Sequence, residues 1–278
     1  MKKIITLLLA LALVLSFAGC GNKKTAEVIA IDLTEEQYAF GVDKDQPELL
    51  EDVNAFIKKI MDDGTFDKVC DKYFGDGEKT GVVSATEDAS KDQLVVATNA
   101  QFAPFEYKEG DKYYGIDMEI AKLLADYLGK ELVIKDMEFE AVCLSVGQHK
   151  CDIAMAGLTI SEDRKEHVTF SDSYYTANQR IIVKTGDKTF KDCKTTEDVE
   201  KILKGFNSKT KIGYQNGTTG QLYVEGDEDW GFDGYDVTGV GYGSGALAVQ
   251  DMINGNVDFV IIDADPAQFI TEAINAVA

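Results

Sequence analysis

The chain is expected to fold as an α/β protein whose sheets are largely parallel and carry helices on both faces. Three observations lead there. Short apolar runs suited to strands alternate with segments of helical rhythm along almost the whole chain. Runs such as Leu94-Val95-Val96-Ala97-Thr98 and Val257 to Ile262 are continuous rather than alternating, as strands buried on both faces are. With 278 residues, 45% of them apolar, the chain can build one large domain or two lobes with cores of their own.

Residues 1–19 read as a leader outside that fold. Lys2 and Lys3 precede an apolar run, Ile4 to Phe17, shorter than the roughly 20 residues of a membrane span. It ends in Phe17-Ala18-Gly19-Cys20, small residues before a cysteine, which resembles a bacterial lipoprotein signal with Cys20 as the lipidated residue. Loss of Lys2 and Lys3 moves the net charge from −21 to −23. So acidic a surface argues against nucleic acid and anionic lipid as partners. Of the cysteines left, Cys70, Cys143, Cys151 and Cys193 allow three full pairings. Cys70 and Cys143 lie in apolar runs that suit buried free thiols. There is no Cys-x-x-Cys pair, and the two histidines, His149 and His167, do not make a structural zinc set; no metal and no cofactor is expected.

The elements follow in order. Residues 20–26 form a polar tether. Val28 to Ile31 and Tyr38 to Val42 read as strands. Pro47 opens a helix with apolar residues at Leu49, Leu50, Val53, Phe56, Ile57 and Ile60, stopped near Gly64. A further helical turn runs from Val69 to Phe74. Residues 75–92 are rich in Gly, Ser, Thr and charge and read as a linker. After it come the Leu94 strand, the Asp117 to Leu128 helix, the Leu132 to Ile134 strand, an Ala141 to Val146 helix and the Asp152 to Ala156 strand. Arg180 to Val183 and Lys211 to Tyr214 are strands, Thr196 to Leu203 and Ala246 to Ile253 helices. The Val257 strand and a helix over Asp265 to Val277 close the chain.

In such sheets ligands bind beyond the carboxyl ends of strands. The polar residues there match the needs of a zwitterion. A carboxylate wants a forked, permanently charged partner, and Arg164 supplies one; the Gly217-Thr218-Thr219 turn adds hydroxyls and N–H groups. An ammonium wants a carboxylate, and Asp263 ends a buried strand. Phe102 and Phe139 offer flat apolar walls. Each has a plainer reading as well: Arg164 as a surface residue, the glycines as a turn, the phenylalanines as core and Asp263 as a helix cap. The glycine turn is not a phosphate loop, since no Gly-Lys-Ser/Thr follows.

Four stretches carry a resemblance: Val96-Ala97-Thr98-Asn99-Ala100-Gln101-Phe102-Ala103-Pro104-Phe105, Tyr114-Gly115-Ile116-Asp117-Met118, Ala156-Gly157-Leu158-Thr159-Ile160-Ser161-Glu162-Asp163-Arg164-Lys165, and Phe170-Ser171-Asp172-Ser173-Tyr174-Tyr175. Together they resemble the extracellular solute-binding proteins, family 3, that feed polar amino acids to ABC importers. The resemblance implies a type II periplasmic-binding-protein-like fold, two lobes joined by a two-strand hinge, with no catalysis. It implies that Phe102 and Phe139 wall the ligand. The Gly157 backbone, Thr159 and Arg164, helped by Thr218 and Thr219, hold the α-carboxylate, Asp263 binds the α-amine, and Asn99, Ala156 and Gln215 complete the site. Asn99 stands where glutamine-binding relatives have an acid, which leaves the side-chain preference open, glutamine among the candidates. The implied partners are a small ligand, a membrane permease and, through the lipid, the extracellular face of the membrane; the protein is expected to be a monomer.

The segment order departs from that family. Thr34-Glu35-Glu36-Gln37-Tyr38 through Tyr73-Phe74-Gly75 resembles the tail of such proteins, yet stands at the front. Joining Ala278 to about Glu27 restores the usual order, so a circular permutation is inferred, with 75–92 bridging the family's usual termini. Lobe one is then 39–176, lobe two 27–33 with 177–278, and the hinge 34–38 with 174–178. The alternatives are an enzyme on the same fold, of dehydratase type, which needs an acid or base in the cleft, and a sensory module that presents ligand to a receptor.

Overall fold

The computed structural model describes residues 25–278, so the leader and Cys20 lie outside the described residues. Two five-stranded sheets, each with its own helices, are joined by a two-stranded ribbon. In lobe one the strand order is Val168–Phe170, Gly41–Asp43, Ile153–Ala154, Gln93–Thr98, Glu131–Asp136; in lobe two it is Ala26–Val28, Gln179–Lys184, Phe259–Asp263, Lys211–Gln215, Thr238–Tyr242. The ribbon pairs Glu36–Tyr38 antiparallel with Tyr175–Ala177. This is the two-lobed α/β architecture expected.

Each sheet is mixed rather than mostly parallel. The parallel pairings expected from strand–helix alternation form one half, Gln93–Thr98 with both its neighbours and Lys211–Gln215 with both of its own. The other half is antiparallel. It is built from strands adjoining the ribbon, where the chain crosses between lobes and returns without an intervening helix.

Helix Pro47–Asp62 shows how the sequence sets the packing. Pro47 stands at its start, where a missing N–H costs nothing, and Val53, Phe56, Ile57 and Ile60 recur on one buried face. Each such side chain stabilises by roughly 1.5–3 kcal/mol on leaving water. Three expectations shift. The single strand over Tyr38 to Val42 is two, Glu36–Tyr38 and Gly41–Asp43, because the chain passes from ribbon to sheet between them. The first strand is Ala26–Val28, and the helix expected from Ala141 is a 3-10 turn, Phe139–Ala141, followed by Val142–Gly147. Thr238–Tyr242 and the Gln101–Tyr114 hairpin sheet are additional.

Residues 75–92 are tied down along lobe one. Val82 bridges to Tyr113, Ser84 Oγ accepts from the Ile134 N–H at 2.9 Å, and the Ala85 N–H donates to the Leu132 carbonyl at 2.8 Å. The first described residues meet the last helix on lobe two: the Thr25 N–H donates to Asn275 Oδ1 at 2.7 Å and Asn275 Nδ2 donates to the Ala26 carbonyl at 2.8 Å. All four described cysteines are free thiols; Cys143 and Cys151 are buried, while Cys70 and Cys193 are half-buried.

Candidate functional site

In the hairpin after strand Gln93–Thr98, Phe102 is buried and pairs across strands with Glu106. Gly157 lies against the Phe102 ring. Its φ is +53°, and a Cβ there would stand 3.0 Å from Phe102 Cε1, so both backbone conformation and space call for glycine. The Gly157 N–H, expected to face a ligand, donates instead to Asp117 Oδ2 at 2.9 Å. Ala156 beside it is buried.

Arg164 stands at the boundary of the lobes. Nη1 donates to the Thr159 carbonyl at 2.7 Å, Nη2 donates to the Gly217 carbonyl of lobe two at 2.9 Å, and the guanidinium carbon lies 5.1 Å from the centre of the Phe139 ring. Arg164, Phe139 and Thr159 therefore do meet as the sequence implied, with Thr219 Oγ1 contributing a long 3.4 Å contact to Thr159 Oγ1. Thr218 turns its hydroxyl to the Gln215 carbonyl at 2.8 Å and so serves the turn itself. Gln215 Nε2 donates to Asn99 Oδ1 at 3.1 Å across the cleft, and Asn99 Nδ2 donates to the Met137 carbonyl at 2.7 Å.

Asp263 is buried at its strand end and accepts a short hydrogen bond from the Tyr38 hydroxyl. Burial, with the Glu36 charge beside it, pushes its carboxyl up to about 7. Asp117, equally buried, is also pushed up to about 7 by desolvation, against the opposing pull of the Gly157 N–H and the Tyr174 hydroxyl.

The sequence reading missed four acids or tyrosines that shape this region. Glu36 accepts from Thr159 Oγ1 at 2.8 Å and Gln179 Nε2 at 3.0 Å. Tyr38 and Asp117 hold the groups just named. Glu106 is fully buried, and neither carboxylate oxygen has a hydrogen-bond partner; the Gln215 Oε1 is likewise unpartnered. Burial first, then the charges of Asp117, Asp263 and Asp136, raise the Glu106 carboxyl well above the ordinary range. The legible signal was an acid set between aromatics, Phe105-Glu106-Tyr107.

A cavity of about 230 Å³ opens on Arg164, walled by Phe139, Leu158 and His167 of lobe one and by Gly217, Leu222 and Trp230 of lobe two. His167 thus faces the interlobe space. His149 is remote, its Nδ1 lying 2.8 Å from Asp43 Oδ2 and its Nε2 3.6 Å from Asp45. These three could together face a cation, but the two ring nitrogens each already have a carboxylate as neighbour.

Known proteins match this arrangement. The sequence profile of "Bacterial extracellular solute-binding proteins, family 3" matches residues 94–225. The chain is 39% identical to the "Arginine-binding extracellular protein ArtP" of Bacillus subtilis (strain 168) over 116 residues, 41% of this chain and 46% of that protein. It is 28% identical to "ABC transporter arginine-binding protein 1" of Escherichia coli (strain K12), over 63% of this chain and 65% of that one. The match thus spans less than two thirds of the length of these curated relatives. Among solved structures, "An ancestral arginine-binding protein bound to arginine" superposes with a TM-score of 0.56 at 33% identity, covering 67% of this chain and 76% of its own. Sequence profile, fold and the residues gathered in the cleft agree: the chain belongs to the bacterial extracellular solute-binding proteins, family 3.

Proposed function

We propose that the protein captures a cationic amino acid, arginine foremost, between its lobes and delivers it to a membrane permease, without catalysis. Glu106 carries this reading. A buried carboxylate with no partner is costly unless a cation completes it, and Gln215 Oε1 of lobe two also lacks a donor. Glu36, Glu106, Asp117 and Asp263 are all buried, whereas Arg164 is the one arginine lining the interlobe cavity. A neutral zwitterion would leave that imbalance, whereas a guanidinium offsets it. The remaining parts suit an amino acid: Arg164 with Thr159 and Thr219 for the carboxylate, Asp263 for the ammonium, Phe102 and Phe139 for the side-chain stem. Relatives named as arginine-binding agree in chemistry.

The proposal extends to the ribbon as a hinge, to lipid attachment at Cys20 on the extracellular face, and to the permuted order. The last is supported by the meeting of Thr25 with Asn275 and by a superposition that stops at two thirds of the chain.

A thermal-shift panel of the twenty amino acids on residues 21–278 tests the reading. A ligand that binds only the folded state stabilises it by about 2.7 kcal/mol at a hundredfold excess over Kd. Arginine should give the largest shift, and Glu106→Gln should cut it while sparing any weaker response to glutamine. A response confined to neutral or acidic amino acids would overturn the cationic preference. No response from a cooperatively melting chain would overturn amino-acid capture.

A further inference from the structure

Lys79, in the segment that follows helix Thr65–Phe74, has three aromatic rings around its ammonium. The centre of Phe269 is 4.9 Å away, that of Tyr73 5.7 Å and that of Tyr107 5.9 Å. The rings touch one another: Tyr73 meets Tyr107 edge-on at 6.5 Å, and Tyr107 meets Phe269 at 6.2 Å. Ring faces attract a cation through their quadrupoles, and three together do so from several sides.

The members come from different bodies. Tyr73 and Tyr107 belong to lobe one. Lys79 is fixed there as well, since the next residue, Thr80, donates its N–H to Glu119 Oε1 at 2.9 Å, and Tyr73 donates its hydroxyl to the same oxygen at 2.7 Å. Phe269 stands on helix Ala264–Val277, which continues from the lobe-two strand ending at Asp263. A lobe rotation that parts helix Ala264–Val277 from lobe one would draw Phe269 away from the other three residues and take the cage apart.

We propose that Lys79 is an interlobe clasp: its ammonium, held between the rings of lobe one and Phe269 of lobe two, biases the protein toward closure and slows release of a bound ligand. The segment that carries it is the one inferred to bridge the family's usual termini, so the clasp belongs to this chain's particular connectivity. Its effect on ligand release rests on the proposed capture of arginine; its effect on closure does not.

Lys79→Gln, Lys79→Arg and wild type are compared in two measurements. In the unliganded protein, small-angle scattering and acrylamide quenching of Trp230, the only tryptophan, read the lobe arrangement. With L-arginine, stopped-flow fluorescence reads dissociation. Lys79→Gln should enlarge the radius of gyration, make Trp230 more quenchable and speed dissociation roughly two- to fivefold. Lys79→Arg should restore all three, because guanidinium also sits on ring faces. Scattering and quenching unchanged in Lys79→Gln, or no recovery in Lys79→Arg, would overturn the clasp. If L-arginine does not bind at all, the ligand reading fails and the unliganded measurements still decide the clasp.

Discussion

Arg164 of lobe one and Gly217 of lobe two are joined directly: the guanidinium Nη2 donates to the backbone carbonyl at 2.9 Å. The same side chain that would hold a ligand's carboxylate therefore also spans the cleft. Arg164→Ala should weaken arginine binding by roughly 30- to 150-fold, as loss of a charge-assisted hydrogen bond does. Arg164→Lys should recover little of it, since a lysine ammonium is not forked and cannot serve both lobes and a carboxylate. Titration calorimetry on the three proteins checks this; equal affinity in Arg164→Lys would contradict it.

Asp117 and Asp263 give the unliganded protein a signed pH dependence. Their carboxyls are raised to about 7 by burial, so they bind protons more tightly folded than unfolded. That contribution is fully present below the ordinary carboxylate range and is lost as pH rises from there through about 7. Melting temperature should therefore fall over that interval, less steeply in Asp263→Asn. Arginine binding should release protons near pH 7, because the ligand's ammonium favours ionised Asp263. Calorimetry in buffers of differing ionisation enthalpy measures that release, and proton uptake would contradict the assignment.

His149 adds a separate term. The hydrogen bond that the protonated ring donates to Asp43, then that carboxylate's charge, raises the imidazole above its usual value. Its stabilisation is present below about pH 6.5 and is lost as pH climbs through the raised value. The residue also holds φ at +57°, where glycine is at ease. His149→Gly should therefore gain stability relative to wild type at pH 9 and lose part of that gain at pH 5, as thermal melts at the two values would reveal.

Gly115 shapes the hairpin that carries Phe102 and Glu106. Its φ is +121°, and an added Cβ would lie 2.1 Å from the Phe105 carbonyl oxygen. Gly115→Ala should cost more than about 2 kcal/mol, since both backbone and contact forbid the side chain. Urea denaturation measures the loss, and a variant of wild-type stability would contradict the geometry.

The permuted order has its own test. A chain beginning at Ala89, running to Ala278 and continuing through a short Gly/Ser linker into Thr25 to Asp88 should fold and bind arginine as the natural order does. The 2.7 Å contact between Thr25 and Asn275 makes that junction short. A reordered chain that is soluble but melts without cooperativity would argue against the inference.

What the sequence disclosed, and what it withheld, divides on physical lines. Helix Pro47–Asp62 and strand Gln93–Thr98 were legible because a buried face imposes a period or a continuous apolar run. Thr238-Gly239-Val240-Gly241-Tyr242 was not, since its alternate glycines leave room for Tyr214 and Asn216 and carry no apolar rhythm. Arg164, Asp263 and Phe102 were legible as residue types at strand ends. Glu36 and Glu106 were not, because an acid in a polar-looking stretch reads as exposed until the tertiary fold closes over it.

The contact between Thr25 and Asn275 has a consequence for how the molecule would stand on a cell. Residue 25 is fixed to lobe two, and five peptide units separate it from Cys20, a reach of at most about 18 Å. An acyl chain on Cys20 would thus moor lobe two beside the bilayer and leave lobe one to swing outward. Each cycle of capture would be a gate whose post is planted in the membrane and whose leaf faces the medium.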